Sequence, residues 1–237
     1  MKKFLKRANR GLILGGIILV ILVVYLVIDY ATFSAQKDDI ANVVKGYISE
    51  MDALNTDADS FDETKFDDTL AKIQTILETY FCDKSGSQGS YVYTKNKLYT
   101  NYQDSKTWVE IQAEGSIITD ADFEYTSFSV KKNGPGSAYV TVELTYNYVI
   151  EIPSASFNYD DTYGEDDYVM ADIGVFGPAG FSFIDPEVSI SVLESSETIT
   201  RNESLTATWY VELYKVDGEW KISNIDGGSY SSIDLYW

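Results

Sequence analysis

The sequence predicts an α+β domain on a membrane anchor: an N-terminal transmembrane helix, then two amphipathic helices packed on a curved antiparallel sheet. Three observations carry this. Gly11 to Ile28 is an 18-residue run without a charged side chain. Between residues 36 and 80 the apolar residues recur at helical spacing. From Tyr91 onward the period falls to two, with turn residues between the runs.

The first ten residues hold Lys2, Lys3, Lys6, Arg7 and Arg10 and no acid. As a helix the run that follows spans roughly 27 Å, close to a bilayer's hydrocarbon thickness. All 37 acids of the 237-residue chain lie from Asp29 onward. Positive-inside bias therefore sets residues 1–10 as a cytoplasmic basic tail, 11–29 as the span and 30–237 as an extracytoplasmic domain. A cleaved signal peptide has a 7–15-residue apolar core and a small-x-small site. Here the run is longer, and Asp29 or Phe33 falls at −3 of the two best alanines, which favours an uncleaved single-pass anchor in the cell membrane.

Residues 36–54 set Ile40, Val43, Val44, Tyr47, Ile48, Met51 and Leu54 on one helical face. Ser60 to Glu63 fits a capping box, and Phe66, Leu70, Ile73, Leu77 and Tyr80 follow as a second amphipathic face ending near Cys82. Strands are expected at 91–94, 97–102, 107–112 and 122–131. A turn at Asn133–Gly136 then leads into the alternating run Val140, Val142, Leu144, Tyr146, Tyr148 and Ile150, which Pro153 ends. Residues 154–186 lose periodicity and read as a long loop excursion. Strands resume at 187–193 and 204–216, and Asp217-Gly218 marks a two-residue hairpin into a closing strand.

Composition excludes whole classes of chemistry. The chain has no histidine and one cysteine, which removes Ser-His-Asp and Cys-His catalysis, histidine-ligated zinc, multi-cysteine metal sites and an internal disulfide. The formal net charge of −19 argues against nucleic acid as a partner. Glu143 and Glu212 sit mid-strand, where a buried carboxylate would serve as an acid or base, but alternation with Leu144 and Leu213 puts them on the opposite face. Asp160, Asp161, Glu165, Asp166 and Asp167 form an acidic run with oxygen ligands for calcium. It lacks the EF-hand spacing, and a solvated loop is the simpler expectation. Phe176, Phe181 and Phe183 surround Gly177-Pro178 in the excursion, and Tyr236-Trp237 close the chain. Each group of aromatics either tucks under its own segment or meets a partner. Nineteen tyrosines would also suit stacking on wall glycan, although strands favour tyrosine for packing alone.

The order helix, helix, meander, closing with LTATWYVELYKVDGEWKISNID at 205–226, resembles the nuclear-transport-factor-two-like superfamily of cone-shaped α+β domains, as does Ala138-Tyr-Val140-Thr-Val142. The resemblance covers roughly 36–226 in plan and is specific over about 40 residues. It implies either an enzyme working in the mouth of the cone or a noncatalytic binding or scaffold domain. Family dehydratases rely on histidine, which this chain lacks, and no ketosteroid-isomerase-like motif can be matched residue by residue. The layout of basic tail, single span and outer domain looks like the bitopic scaffold subunits of conjugation and type IV secretion machines. The expected function is thus a noncatalytic envelope docking module with no cofactor. Its expected partners are the membrane, other envelope proteins and further copies of itself. The alternative is a binding domain for a lipid, a peptide or a wall glycan, and behind that an isomerase or hydro-lyase.

Overall fold

The computed structural model describes residues 10–84, 91–111, 117–157 and 167–233. It divides into two compact units, Met1–Asp39 and Ile40–Trp237, each described by itself.

The first unit is helix α1, Arg10–Ala35. Its apolar side chains from Leu12 to Ile28 are exposed all round the helix, with no face covered by protein. Mean hydropathy over its most apolar stretch is 3.1. A core helix of a soluble domain would bury one stripe. This helix is instead long and apolar enough to cross a membrane.

The second unit packs helices on one face of a five-stranded antiparallel sheet. Helix α2, Lys37–Asp52, buries Ile40, Val44, Tyr47, Ile48 and Met51. Helix α3, Phe66–Tyr80, buries Phe66, Leu70, Ile73 and Leu77. Both are the faces the sequence predicts. The capping box does not form. Asp57 accepts the amide of Asp59 and Asp62 accepts that of Thr64, which winds Ala58–Phe61 and Glu63–Lys65 into 3-10 turns and leaves Ser60 buried. Aspartate competes better here because each carboxylate sits two residues before the amide it takes. At its end α3 docks on the sheet, where the Cys82 amide donates to the Ile222 carbonyl at 2.8 Å.

Strand β1, Val92–Thr94, leads into α4, Lys95–Asp104, and α5, Lys106–Ile111. These helices correct the strands expected at 97–102 and 107–112. Leu98 and Tyr102, four apart, are both buried under α4, and that spacing outweighs the local tyrosine-threonine content. Then come β2, Ile117–Gly134, and β3, Ser137–Pro153, joined at the expected turn. The described part of the excursion from Asp167 on corrects the expected loop, forming β4, Tyr168–Met170; β5, Ile173–Gly177; and β6, Gly180–Ile184; it is followed by β7, Glu187–Ser189. The run expected as a strand at 187–193 turns helical at α6, Ile190–Ser195, which buries Ile190 and Leu193. Strands β8, Thr198–Val216, and β9, Glu219–Ile233, close the sheet in the order β1-β9-β8-β3-β2. Their turn has φ 52° at Asp217 and 94° at Gly218, the paired left-handed geometry that the Asp-Gly sequence supplies.

Register separates the two faces of the sheet. Val140 pairs with Val211, Val142 with Trp209 and Leu144 with Ala207. All six are buried, so this is the face under the helices. The other face carries Tyr139, Thr141, Glu143 and Thr145 opposite Glu212, Tyr210, Thr208 and Thr206.

Candidate functional site

A hairpin of the chain's own excursion is buried against the helices of the second unit. Strands β5 and β6 pair with each other around Gly177-Pro-Ala-Gly180. Gly180 takes φ 132°, which a side chain resists. Phe176 is 1% exposed, and Ile173, Val175 and Ala179 are buried with it. The Phe176 ring lies 5.2 Å from Phe61, 6.2 Å from Tyr102 and 5.2 Å from Phe181. On the sheet side, a Cβ at Gly227 would lie within 4 Å of Ala179, Trp209 and Tyr93.

Four side chains hold the hairpin, all by its backbone. Tyr47 of α2 donates its hydroxyl to the Pro178 carbonyl at 2.6 Å, and Tyr102 of α4 donates to the Gly177 carbonyl at 2.5 Å. Asn55, just beyond α2, accepts the Phe176 amide at 2.7 Å and donates to the Phe176 carbonyl at 3.2 Å. Asn101 of α4 accepts the Phe181 amide at 2.9 Å. Burial, then the neighbouring Tyr102 and Tyr146, push the Tyr47 hydroxyl well above the ordinary tyrosine range, so it stays a neutral donor. Burying Ile173, Val175 and Phe176 contributes roughly 1.5–3 kcal/mol each. A buried hydrogen bond nets about 1 kcal/mol. Apolar burial therefore supplies most of the affinity of the plug, and the four polar side chains fix its register.

Beside this lock sits Asp52, the last residue of α2. It is 8% exposed, and its Oδ1 has no hydrogen-bond partner among the described residues. Burial raises its carboxyl to about 6; a hydrogen bond from Asn55 pulls down and the charge of Asp122 pushes up. Tyr125 on β2 is pushed to about 12 by burial and by Asp52. The Lys45 ammonium stands 5.2 Å above the Tyr125 ring and 5.1 Å above that of Phe128. Asp172 and Asp185, both exposed, flank the β5–β6 hairpin.

The residues singled out from sequence are dispersed. Phe176 is internal, whereas Phe181 and Phe183 are half-buried and meet edge to face at 5.5 Å. Glu212, 7% exposed, and Glu143 both lie on the sheet face away from the helices. Glu212 accepts from Asn133 Nδ2 at 3.2 Å and from the Tyr214 hydroxyl at 3.1 Å. Asp160, Asp161, Glu165, Asp166, Tyr236 and Trp237 lie outside the described residues. Asp167 is exposed, and its carbonyl accepts the Ile190 amide. Among the described residues, no three His, Cys, Asp or Glu side chains group to hold a metal ion. Beyond the interior, an open groove of about 430 Å³ runs along α4, lined by Tyr93, Asn96, Lys97, Thr100, Asn101 and Asp104.

Tyr47, Asn55, Asn101 and Tyr102 were not legible as a set. The one signal was tyrosine on an apolar helix face, since a buried phenol needs an acceptor.

No family model matches the chain, and neither does any curated protein. Among solved structures, a hexachlorocyclohexane dehydrochlorinase, LinA type 2, aligns at 9% identity with a TM-score of 0.37, over 88% of this chain and 94% of that one. An uncharacterised protein with a cystatin-like fold from Caulobacter vibrioides aligns at 12% identity with a TM-score of 0.33, over 85% of this chain and 92% of that one. Likeness at that level carries no argument about this chain.

Proposed function

We propose that this chain is a noncatalytic, membrane-anchored docking module of a cell-envelope assembly, its domain presented outside the cell by α1. The observation that carries the reading is the plug. An interior occupied by the chain's own hairpin, held by four backbone-directed side chains, is built for rigidity rather than for turnover. The all-round apolar surface of α1 supports the anchor, and the basic tail before it supports the orientation. The kinship to bitopic subunits of conjugation and type IV secretion machines belongs to this proposal and rests on layout.

The surface best suited to a partner is the base of the excursion. Tyr168 and Met170 on β4 are 62% and 65% exposed. They sit on a short strand whose pairing within the described residues is to β7 alone, which leaves an edge for strand addition.

Crosslinking in intact cells, extraction through the native anchor and mass spectrometry of the recovered material test this. Other envelope proteins recovered in fixed proportion, and lost when Tyr168→Asp and Met170→Asp are combined, are the expected result. Recovery of the chain alone would overturn it.

A second reading, a small ligand within the cone, draws on one observation, the buried Asp52 beside Tyr125. A retained molecule in native mass spectra of the full chain would favour it over docking.

A further inference from the structure

Helix α4 turns one face to the open groove of about 430 Å³. Asn96, Thr100 and Asp104 recur four residues apart and all line it, a row of roughly 12 Å at helical rise. Lys97, Asn101 and Tyr93 of β1 complete the lining. The three residues of the row are exposed, and their side chains have no hydrogen-bond or ion-pair partner among the described residues. The described fold makes no use of them. The concavity they line lies within the roughly 300–1,000 Å³ of small-molecule sites.

The groove is held in shape from behind. On the buried side of α4, Leu98 and Tyr102 are fully enclosed, and the Tyr102 hydroxyl is tied to the Gly177 carbonyl at 2.5 Å. Asn101 gives its Oδ1 to the Phe181 amide, which leaves its Nδ2 as a donor for the groove. Tyr93 shares the sheet face of Ile225, and a Cβ at Gly227 would stand only 3.4 Å from its Cε2. The ring therefore rests close to bare backbone. A site whose walls are fixed in advance loses little in ordering on binding.

We propose that this groove binds a neutral saccharide chain, with the Tyr93 ring against the C–H face of one sugar and the Asn96, Thr100 and Asp104 side chains on its hydroxyls. The ligand class follows from what the lining can satisfy. An acyl chain would bury an amide, a hydroxyl and a carboxylate without partners. An anionic ligand would meet Asp104, in a chain of formal net charge −19, while the Lys97 ammonium already donates to the Val92 carbonyl at 3.0 Å. That same bond occupies a carbonyl of β1, an edge strand of the sheet, and so works against strand addition by a peptide. Sugar hydroxyls both donate and accept, which suits an amide, a hydroxyl and a carboxylate together.

Magnetic resonance of the isotope-labelled full chain in phosphocholine micelles tests the site, since sugar-headed detergents would compete. The probes are triacetylchitotriose and cellotriose as neutral saccharides, trigalacturonate as an anionic one and tetraalanine as an extended peptide. Saturable shifts of the Asn96 and Asn101 side-chain amides are expected with a neutral saccharide at millimolar concentration, while the β3–β8 ladder stays unmoved. Asn96→Ala and Asp104→Ala should each weaken binding about fivefold, the worth of one net hydrogen bond. Both side chains are exposed, so neither variant threatens the fold. Gln103→Ala, exposed on the same helix but outside the groove, should leave the affinity unchanged. No shift with either neutral saccharide would overturn the site, as would shifts by trigalacturonate or tetraalanine in their place, or an affinity unchanged in both groove variants. None of these readouts passes through β4, so the site stands or falls separately from docking to a partner.

Discussion

Asn55 does more for the shape of the interior than its sequence position announces. It is polar, just past an amphipathic helix, and reads as a turn residue, yet its amide pairs with both backbone groups of Phe176. Asn55→Ala would leave that amide and carbonyl buried without partners, at about 1–3 kcal/mol. Urea unfolding of the full chain in micelles measures it, and a loss below about 0.5 kcal/mol would mean that water replaces the clamp. Asp52 works the other way. Its carboxyl is raised to about 6, so the folded state holds the proton more tightly than the unfolded chain does. Stability from this group is intact below about 4, declines as pH rises through 6 and is flat above. Asp52→Asn should remove that decline and stabilise the protein at pH 7 on the order of 2 kcal/mol. Unfolding curves at pH 4 and pH 7 decide it, and an unchanged difference between them would assign the charge no cost. Neither residue was legible from sequence, because the backbone that Asn55 holds lies 121 residues away and the charge facing Asp52 comes from Asp122 on β2.

Elements were legible where period and burial agree. The faces of α2 and α3, the even-numbered face of β3 and the Asp217-Gly218 hairpin all follow from spacing, because each element buries one side against the same core. Two of the errors share one cause. At 95–104 and 190–195, strand-favouring residues form helices because Leu98 with Tyr102, and Ile190 with Leu193, meet the core at helical intervals. In the excursion the glycines and prolines masked a hairpin whose apolar residues alternate on both sides of its turn. That turn makes a sharp prediction. At Gly180 a Cβ would run into the Asn101 Oδ1 that accepts the Phe181 amide, and φ is 132°. Gly136 also has positive φ, 64°, but its Cβ would meet only Lys215 Cβ at 3.9 Å. Gly136→Ala should cost about 1 kcal/mol, and Gly180→Ala about 2–3 kcal/mol because strain and collision add. Thermal unfolding of the two variants side by side would refute the plug geometry if their order were reversed.

At the scale of the molecule, charge and apolarity are segregated along the chain. Five cations precede an uncharged run, and 37 acids follow it against 13 basic residues. An apolar helix uncovered on every side has no stable place in water, since each exposed leucine or valine forgoes roughly 1.5–3 kcal/mol of burial. Within a bilayer the same surface would be satisfied, and in the proposed orientation the cations would hold the tail on the cytoplasmic side with the acidic domain outside. Protease treatment of intact cells carrying an N-terminal epitope should then remove the domain after Lys37 and spare the tail with its span. Intact mass of the extracted chain should equal that of all 237 residues. A mature chain beginning near residue 32 or 36 would make α1 a leader rather than an anchor. Full protection of the domain would reverse the orientation.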